Sequence, residues 1–210
     1  MQTAPAEPSP VVSPRIYALI LSSPRLRRML LPQGLLPSPY EILDYQSTLI
    51  LHDHKGIKAT LERRQRIRFV QNGVAGIMDH IWGDGVVTYY ENEAGSLEDS
   101  FRDEGRRHLV IGLRRPMGRG ESLAFRVRRA VMVGLTGDRE WVETTIDHPV
   151  ERLKHTIVFP KERPCQVAAL HHEGRTIPLT VTRLADGKTR VEFDLRRPSA
   201  QTPYTVRWSW

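Results

Sequence analysis

Three groups in this sequence set a histidine beside a carboxylate: His52-Asp53-His54, Asp79-His80 and Asp147-His148. Imidazole nitrogens and carboxylate oxygens can hold zinc or a related divalent metal, provided three or four of them converge. His52 and His54 are two residues apart, which on a strand puts them on one face, but no local motif supplies a third ligand. His171 and His172 are adjacent and would point to opposite faces of their strand. The zincin pattern of two histidines on one helix face is absent. The single cysteine, Cys165, excludes both a multi-cysteine zinc site and a disulfide framework within the chain. These histidines are read as solvated strand-end and turn residues, with no metal and no cofactor.

Nucleophilic chemistry has equally little support. Cys165 follows Pro164 at the start of a candidate strand, and a catalytic thiol there would need a histidine brought to it by the fold. The simpler reading is an inert, half-buried thiol. Ser96 and Ser122 have no base nearby, no nucleophile-elbow motif occurs, and the glycine-rich phosphate loops are missing. Met117-Gly118-Arg119-Gly120 reads as a hairpin loop. The sequence assigns no catalytic residue.

Arginine offers a different chemistry. The 31 basic residues outnumber the 24 acidic ones, for a net charge of +7, which raises the possibility of an anionic partner such as nucleic acid. Arg64, Arg66 and Arg68 alternate along one strand face, and Arg126 and Arg128 along another. If those strands are neighbours, five guanidinium groups form an anion-binding platform. No aromatic residues share these faces for base stacking. The competing reading is a solvated outer sheet face, with arginine stems covering apolar surface. Residues 79–104 hold eight acids against Arg102, and residues 106–129 hold eight arginines against Glu121. Folded together, such blocks neutralise each other without an external partner.

Residues 1–12 are rich in Pro, Ala and Ser and read as a disordered tail. Ser13-Pro14 and Ser23-Pro24 each fit an N-cap serine followed by a first-turn proline, which predicts short helices over 14–22 and 24–31. Residues 13–39 thus form a helical arm ending in a proline-rich connector. Helices of about nine residues are not stable alone in water, so their apolar residues Ile16, Leu19, Ile20, Leu26 and Leu30 must pack against something. They are candidate partner-binding residues.

From Tyr40 the pattern changes to short alternating segments between turn residues. Candidate strands run over 45–51, 58–69, 74–82, 86–90, 108–114, 121–133, 140–146, 152–159, 166–172, 176–183, 190–195 and 204–210. Leu123, Phe125, Val127, Val131 and Val133 share one face, as do Leu153, Ile157 and Phe159, and Val191, Phe193 and Leu195. His54-Lys55-Gly56 and Gln71-Asn72-Gly73 supply turns, and Gly137-Asp138 and Asp186-Gly187 sit where hairpin turns are needed. Regular strands without crossover helices predict an antiparallel sandwich over 40–210. Nothing approaches a membrane-spanning run or a secretory signal, and a cytoplasmic location is expected.

Trp82-Gly83-Asp84-Gly85, Phe159-Pro160-Lys161-Glu162-Arg163-Pro164 and the closing Arg207-Trp208-Ser209-Trp210 together resemble uncharacterised bacterial immunoglobulin-like β-sandwich modules that accompany signalling or conflict-system proteins. The resemblance covers about residues 40–210. It implies an immunoglobulin-like sandwich acting as a non-enzymatic sensing or interaction part with a protein partner, and transfers no catalytic residue. Trp82, beside a glycine turn, is a further candidate anchor for a partner. The alternative expectation is an arginine-rich nucleic-acid-binding protein.

Overall fold

The alternation that begins at Tyr40 resolves into strands wherever β-branched, aromatic and leucine side chains recur every second residue. The structure, a computed structural model, describes residues 38–81, 85–103, 106–146, 149–199 and 202–210. The predicted arm, with Ile16, Leu19, Ile20, Leu26 and Leu30, lies outside the described residues, as do Trp82 and the Asp147-His148 pair.

The described residues form β1 (Tyr40–Leu51), β2 (Lys58–Phe69), β3 (Val74–Ile81), β4 (Val86–Asn92), β5 (Gly95–Asp103), β6 (Arg106–Met117) and β7 (Ser122–Met132). These are followed by β8 (Arg139–Thr145), β9 (Arg152–Phe159), β10 (Val167–His172), β11 (Arg175–Leu179), β12 (Thr182–Arg183), β13 (Thr189–Arg196) and β14 (Pro203–Ser209). A seven-stranded sheet has the order β12-β13-β9-β1-β2-β7-β4, a four-stranded sheet the order β11-β10-β14-β8, and a three-stranded sheet the order β3-β6-β5. The fold class is all-β, as the alternation predicts. No helix among the described residues is long and apolar enough to cross a membrane.

Pairing is antiparallel except between β1 and β9, which run parallel with Ser47 opposite His155 and Leu49 opposite Ile157. A parallel neighbour cannot follow through a tight turn, and here the strands β2 to β8 intervene. The expectation of a purely antiparallel sheet is therefore corrected to a mixed one. Two predicted hairpin turns are also corrected. The loop at Met117–Gly120 carries the chain from the three-stranded to the seven-stranded sheet, and Gly137-Asp138 lies between β7 and β8, which belong to different sheets. The predicted strand 176–183 divides into β11 and β12, one in each of two sheets.

Some turns do close hairpins. Asp53 organises the turn after β1 by accepting from the backbone N–H groups of Lys55 at 2.9 Å and Lys58 at 2.7 Å. Gly56 completes it at φ +69°, where an added Cβ would sit 1.7 Å from the Leu135 carbonyl oxygen; only glycine suits both the dihedral and the approach. His52 and His54 accordingly belong to this turn and not to a strand face.

One large face of the seven-stranded sheet is covered by the two smaller sheets. Leu49, Leu51, Ile67, Val127, Ile157 and Phe159 are buried there. Phe159 meets Trp208 and Trp210 edge to face at 5.6 and 5.8 Å, geometry that favours the aromatic quadrupoles beyond plain burial. The Arg163 guanidinium lies 4.1 Å from the Trp210 ring centroid, and the Trp210 indole N–H donates to the Gly137 carbonyl at 2.8 Å. Two of the three segments that carry the sequence resemblance thus meet as one packed corner.

Candidate functional site

Inner-face positions of a covered sheet should be apolar, because a buried polar group costs free energy unless it is hydrogen-bonded. One row across the centre of the seven-stranded sheet breaks that rule. Register sets His155 of β9 opposite Ser47 of β1, and Ser47 opposite Arg63 of β2. Ser47 Oγ and His155 Nδ1 are 3.1 Å apart. Burial pushes the His155 imidazole down to a pKa of about 4, so it is neutral near pH 7. Its Nε2 is buried with no hydrogen-bond partner.

Beside this row lies a buried ionic cluster. Asp79, 2 % exposed on β3, takes Arg63 Nη2 at 2.7 Å on one oxygen and Arg129 Nη2 at 2.5 Å on the other. The His80 backbone N–H donates to the first oxygen at 2.7 Å and the Tyr90 hydroxyl to the second at 2.9 Å. Burial alone would raise the Asp79 pKa, but the two guanidinium groups overcome it and hold the carboxyl well below its ordinary range. The Tyr90 hydroxyl is pushed up by burial and by the same carboxylate. Nε of Arg63 and Nε of Arg129 are buried without partners. The triad pins the three-stranded sheet to the large one.

Both features line one cleft of about 590 Å³. Its floor is the middle of the seven-stranded sheet, with Leu49, Leu61 and Phe125 among its apolar residues. One wall comes from β3 and the other from β8, and each of these is the last strand of its own sheet. Trp141 on β8 stands at this cleft with 57 % of its surface exposed. The volume is that of a typical ligand pocket, and the mix of apolar lining with a few fixed polar groups is what such pockets use for orientation.

The arginines singled out from sequence lie elsewhere, on the opposite face of the large sheet. Arg64 stands directly opposite Arg126, so the two stripes do merge. They are interleaved with carboxylates: Arg64 pairs with Glu62 at 3.0 Å, Arg68 with Glu41 at 2.6 Å and Arg126 with Glu93 at 2.7 Å. Arg66 and Arg128 carry no ion pair among the described residues. Further along the same sheet Arg152 pairs with Asp194 at 2.6 Å and Lys154 with Glu192 at 3.3 Å. The acidic and basic blocks of the sequence meet, through Asp79 with Arg129 and Glu93 with Arg126.

Among the described residues no three His, Cys, Asp or Glu side chains come together to hold a metal ion. His52 Nε2 lies 2.7 Å from the Thr60 hydroxyl, and His80 Nδ1 lies 3.0 Å from His108 Nδ1. His172 stacks on Tyr204 at 4.0 Å. Cys165 is more deeply buried than expected, 5 % exposed, and burial pushes its thiol up to about 11.

No protein-family model matches this sequence, and no curated protein matches it. Solved structures do. A two-domain M1 zinc metallopeptidase variant bound to L-tryptophan is 13 % identical over 80 % of this chain and 43 % of that one, with a TM-score of 0.50. A Parabacteroides distasonis protein classed as a protease is 13 % identical over 83 % of this chain and 41 % of that one, also at 0.50. The M1 zinc metallopeptidase of Deinococcus radiodurans is 14 % identical over 80 % of this chain and 42 % of that one, at 0.49. This chain therefore spans less than half the length of the structures it matches, and at such identities the likeness is one of fold.

Proposed function

We propose that this chain is a non-enzymatic protein-interaction module whose binding groove is the cleft between the two small sheets. The carrying observation is that both walls of that cleft, β3 and β8, are edge strands of their sheets. An extended segment of a partner can add to such an edge through main-chain hydrogen bonds while its side chains enter the cleft. The half-exposed Trp141 at the rim is the kind of aromatic anchor that dominates binding energy in interfaces. The fold likeness to a two-domain protein, of which this chain matches 43 %, supports a domain that works against a larger neighbour. Reading the architecture as immunoglobulin-like, and placing the module in a bacterial cytoplasmic signalling or defence system, belongs to the same proposal. It draws on the sequence resemblance and on the layered, mainly antiparallel strands.

The second reading, nucleic-acid binding, is favoured by the direct juxtaposition of Arg64 and Arg126. It is weakened by the carboxylates paired with three of the five stripe arginines, which leave a mixed and not a uniformly positive face. Capture from the native host's extract, with and without nuclease, separates the two when wild type is compared with Trp141→Asp. The groove reading expects a protein that survives nuclease and is lost with Trp141→Asp. Recovery that depends on nucleic acid and is abolished by neutralising Arg64, Arg66 and Arg128 would replace it with the second reading.

A further inference from the structure

We propose that the floor of the cleft is a carboxylate site: Arg63, with the Ser47–His155 pair beside it, receives the carboxylate of a bound peptide segment, from a side chain or a chain end. The inference rests on the reading of the cleft as a segment-binding groove and adds the chemistry that the groove selects. Charge is the first argument. Arg63 and Arg129 bring two positive charges to the floor of the cleft, and Asp79 on the β3 wall returns one negative charge. A second carboxylate would make the cluster neutral, and a buried charge is retained only when it is paired.

Hydrogen-bond capacity is the second argument. Each oxygen of Asp79 already accepts from two donors, Arg63 Nη2 with the His80 N–H and Arg129 Nη2 with the Tyr90 hydroxyl. Arg63 has one further polar neighbour, the Tyr45 side chain, which favours its charged form, and the buried Nε atoms of Arg63 and Arg129 have no partner. A guanidinium has five N–H donors in a planar fork that suits a carboxylate. His155 is two strands from Arg63 with Ser47 between them; its Nδ1 is 3.1 Å from Ser47 Oγ, and its buried Nε2 has no partner. Unsatisfied buried groups of this kind are few in native proteins, and a bound partner is one reason for them.

Shape is the third. The apolar floor residues Leu49, Leu61 and Phe125 sit in the same cleft as Arg63, so the favoured segment places aliphatic side chains next to its carboxylate. The carboxylates of the facing strand do not serve Arg63. Glu140 accepts from the Gly137 N–H at 2.6 Å and Glu143 from the Thr205 hydroxyl at 3.3 Å.

The test is fluorescence anisotropy with the full chain and four fluorescein-labelled probes. These are Ala-Leu-Ala-Leu as the free acid, the same peptide as its C-terminal amide, and two amides carrying Glu or Gln at the third place. One acid should bind about 10- to 100-fold more tightly than its neutral counterpart, the range for hydrogen bonds to a charged group. Which acid gains tells a chain end from a side chain. The preference should disappear in Arg63→Gln, shrink in Ser47→Ala, and persist in Arg64→Gln on the opposite face of the same strand. The comparison of probes on the wild-type protein stands even if Arg63→Gln fails to fold. Equal binding of acids and neutral forms would overturn the carboxylate site and leave the groove standing. Binding by none of the probes would also overturn it, with the groove then judged by the Trp141→Asp capture. A preference that survives in a folded Arg63→Gln would place the carboxylate elsewhere and refute the assignment.

Discussion

Replacing Asp79 with asparagine keeps the side chain's shape and removes the one negative charge that holds two guanidinium groups under the three-stranded sheet. Asp79 is 2 % exposed, and its arginine partners have side chains 14 % and 6 % exposed, so solvent cannot take over the pairing. The asparagine would also turn an NH2 group toward donors that need an acceptor. Breaking a buried ion pair from one side costs about 3–5 kcal/mol, a large part of the roughly 5–15 kcal/mol that stabilises a typical domain. For a protein of this size that is a fall in melting temperature of about 6–20 °C, readable by circular dichroism at 218 nm or by calorimetry. The pH dependence gives an independent check. Burial favours the neutral acid, but Arg63 and Arg129 win and leave the folded-state pKa below the unfolded value of 3.8. The stability contributed is therefore complete above about pH 4, and it is lost as pH falls through the folded-state value. Wild type should lose stability between about pH 4 and pH 2 more steeply than Asp79→Asn does. A melting shift under about 3 °C at pH 7, or parallel acid curves for the two proteins, would refute the view of this triad as a buried strut.

His155 and Cys165 provide two further checks. Burial lowers His155 from 6.5 to about 4, so the unfolded chain binds more protons between those values and stability falls as pH drops through that window. Wild type should lose about 2 kcal/mol between pH 7 and pH 5 from this group, and urea titrations of His155→Gln should show that portion missing. Cys165, with its thiol pushed up to about 11, should react with iodoacetamide at pH 8 at least about a hundred times more slowly than an exposed thiol, and at the ordinary rate in urea. Fast labelling of the folded protein would mean that this corner opens readily.

Most strands could be read because a covered sheet imposes a period of two on its sequence, and β1, β2, β7, β9 and β13 obey it. β5 was not legible. Its segment Gly95–Asp103 has three acidic or hydroxyl residues in a row from Glu98, and a bulge between Leu97 and Asp99 breaks the alternation. The division of 176–183 was hidden for a related reason. Pro178 can sit on the edge strand β11, and nothing local marks the step into β12 three residues beyond Leu179. Register between β1 and β9 depends on residues about a hundred positions apart, and no spacing rule reaches that far.

The candidate site was visible as gaps in patterns that otherwise held. In the run Leu123, Phe125, Val127, Val131 and Val133, the missing alternate position is Arg129. In Leu153, Ile157 and Phe159 it is His155, and in Leu61 to Phe69 the apolar face is interrupted by Arg63 and Gln65. Each interruption alone looks like tolerance for a polar residue in a half-covered strand. Brought side by side by the topology, they become a polar patch at the centre of an apolar face, where leucine or valine would be more stabilising. The exposed arginines attracted attention because they are numerous, yet their ion pairs lie in water, where each contributes about 0–1 kcal/mol. Arg63 and Arg129 differ from them in burial, not in chemistry. A polar residue on the wrong face of a strand departs from the local pattern at an energetic cost, and such departures concentrate where a protein binds something. The skipped positions, and not the charge stripes, are therefore where this sequence most directly points to function.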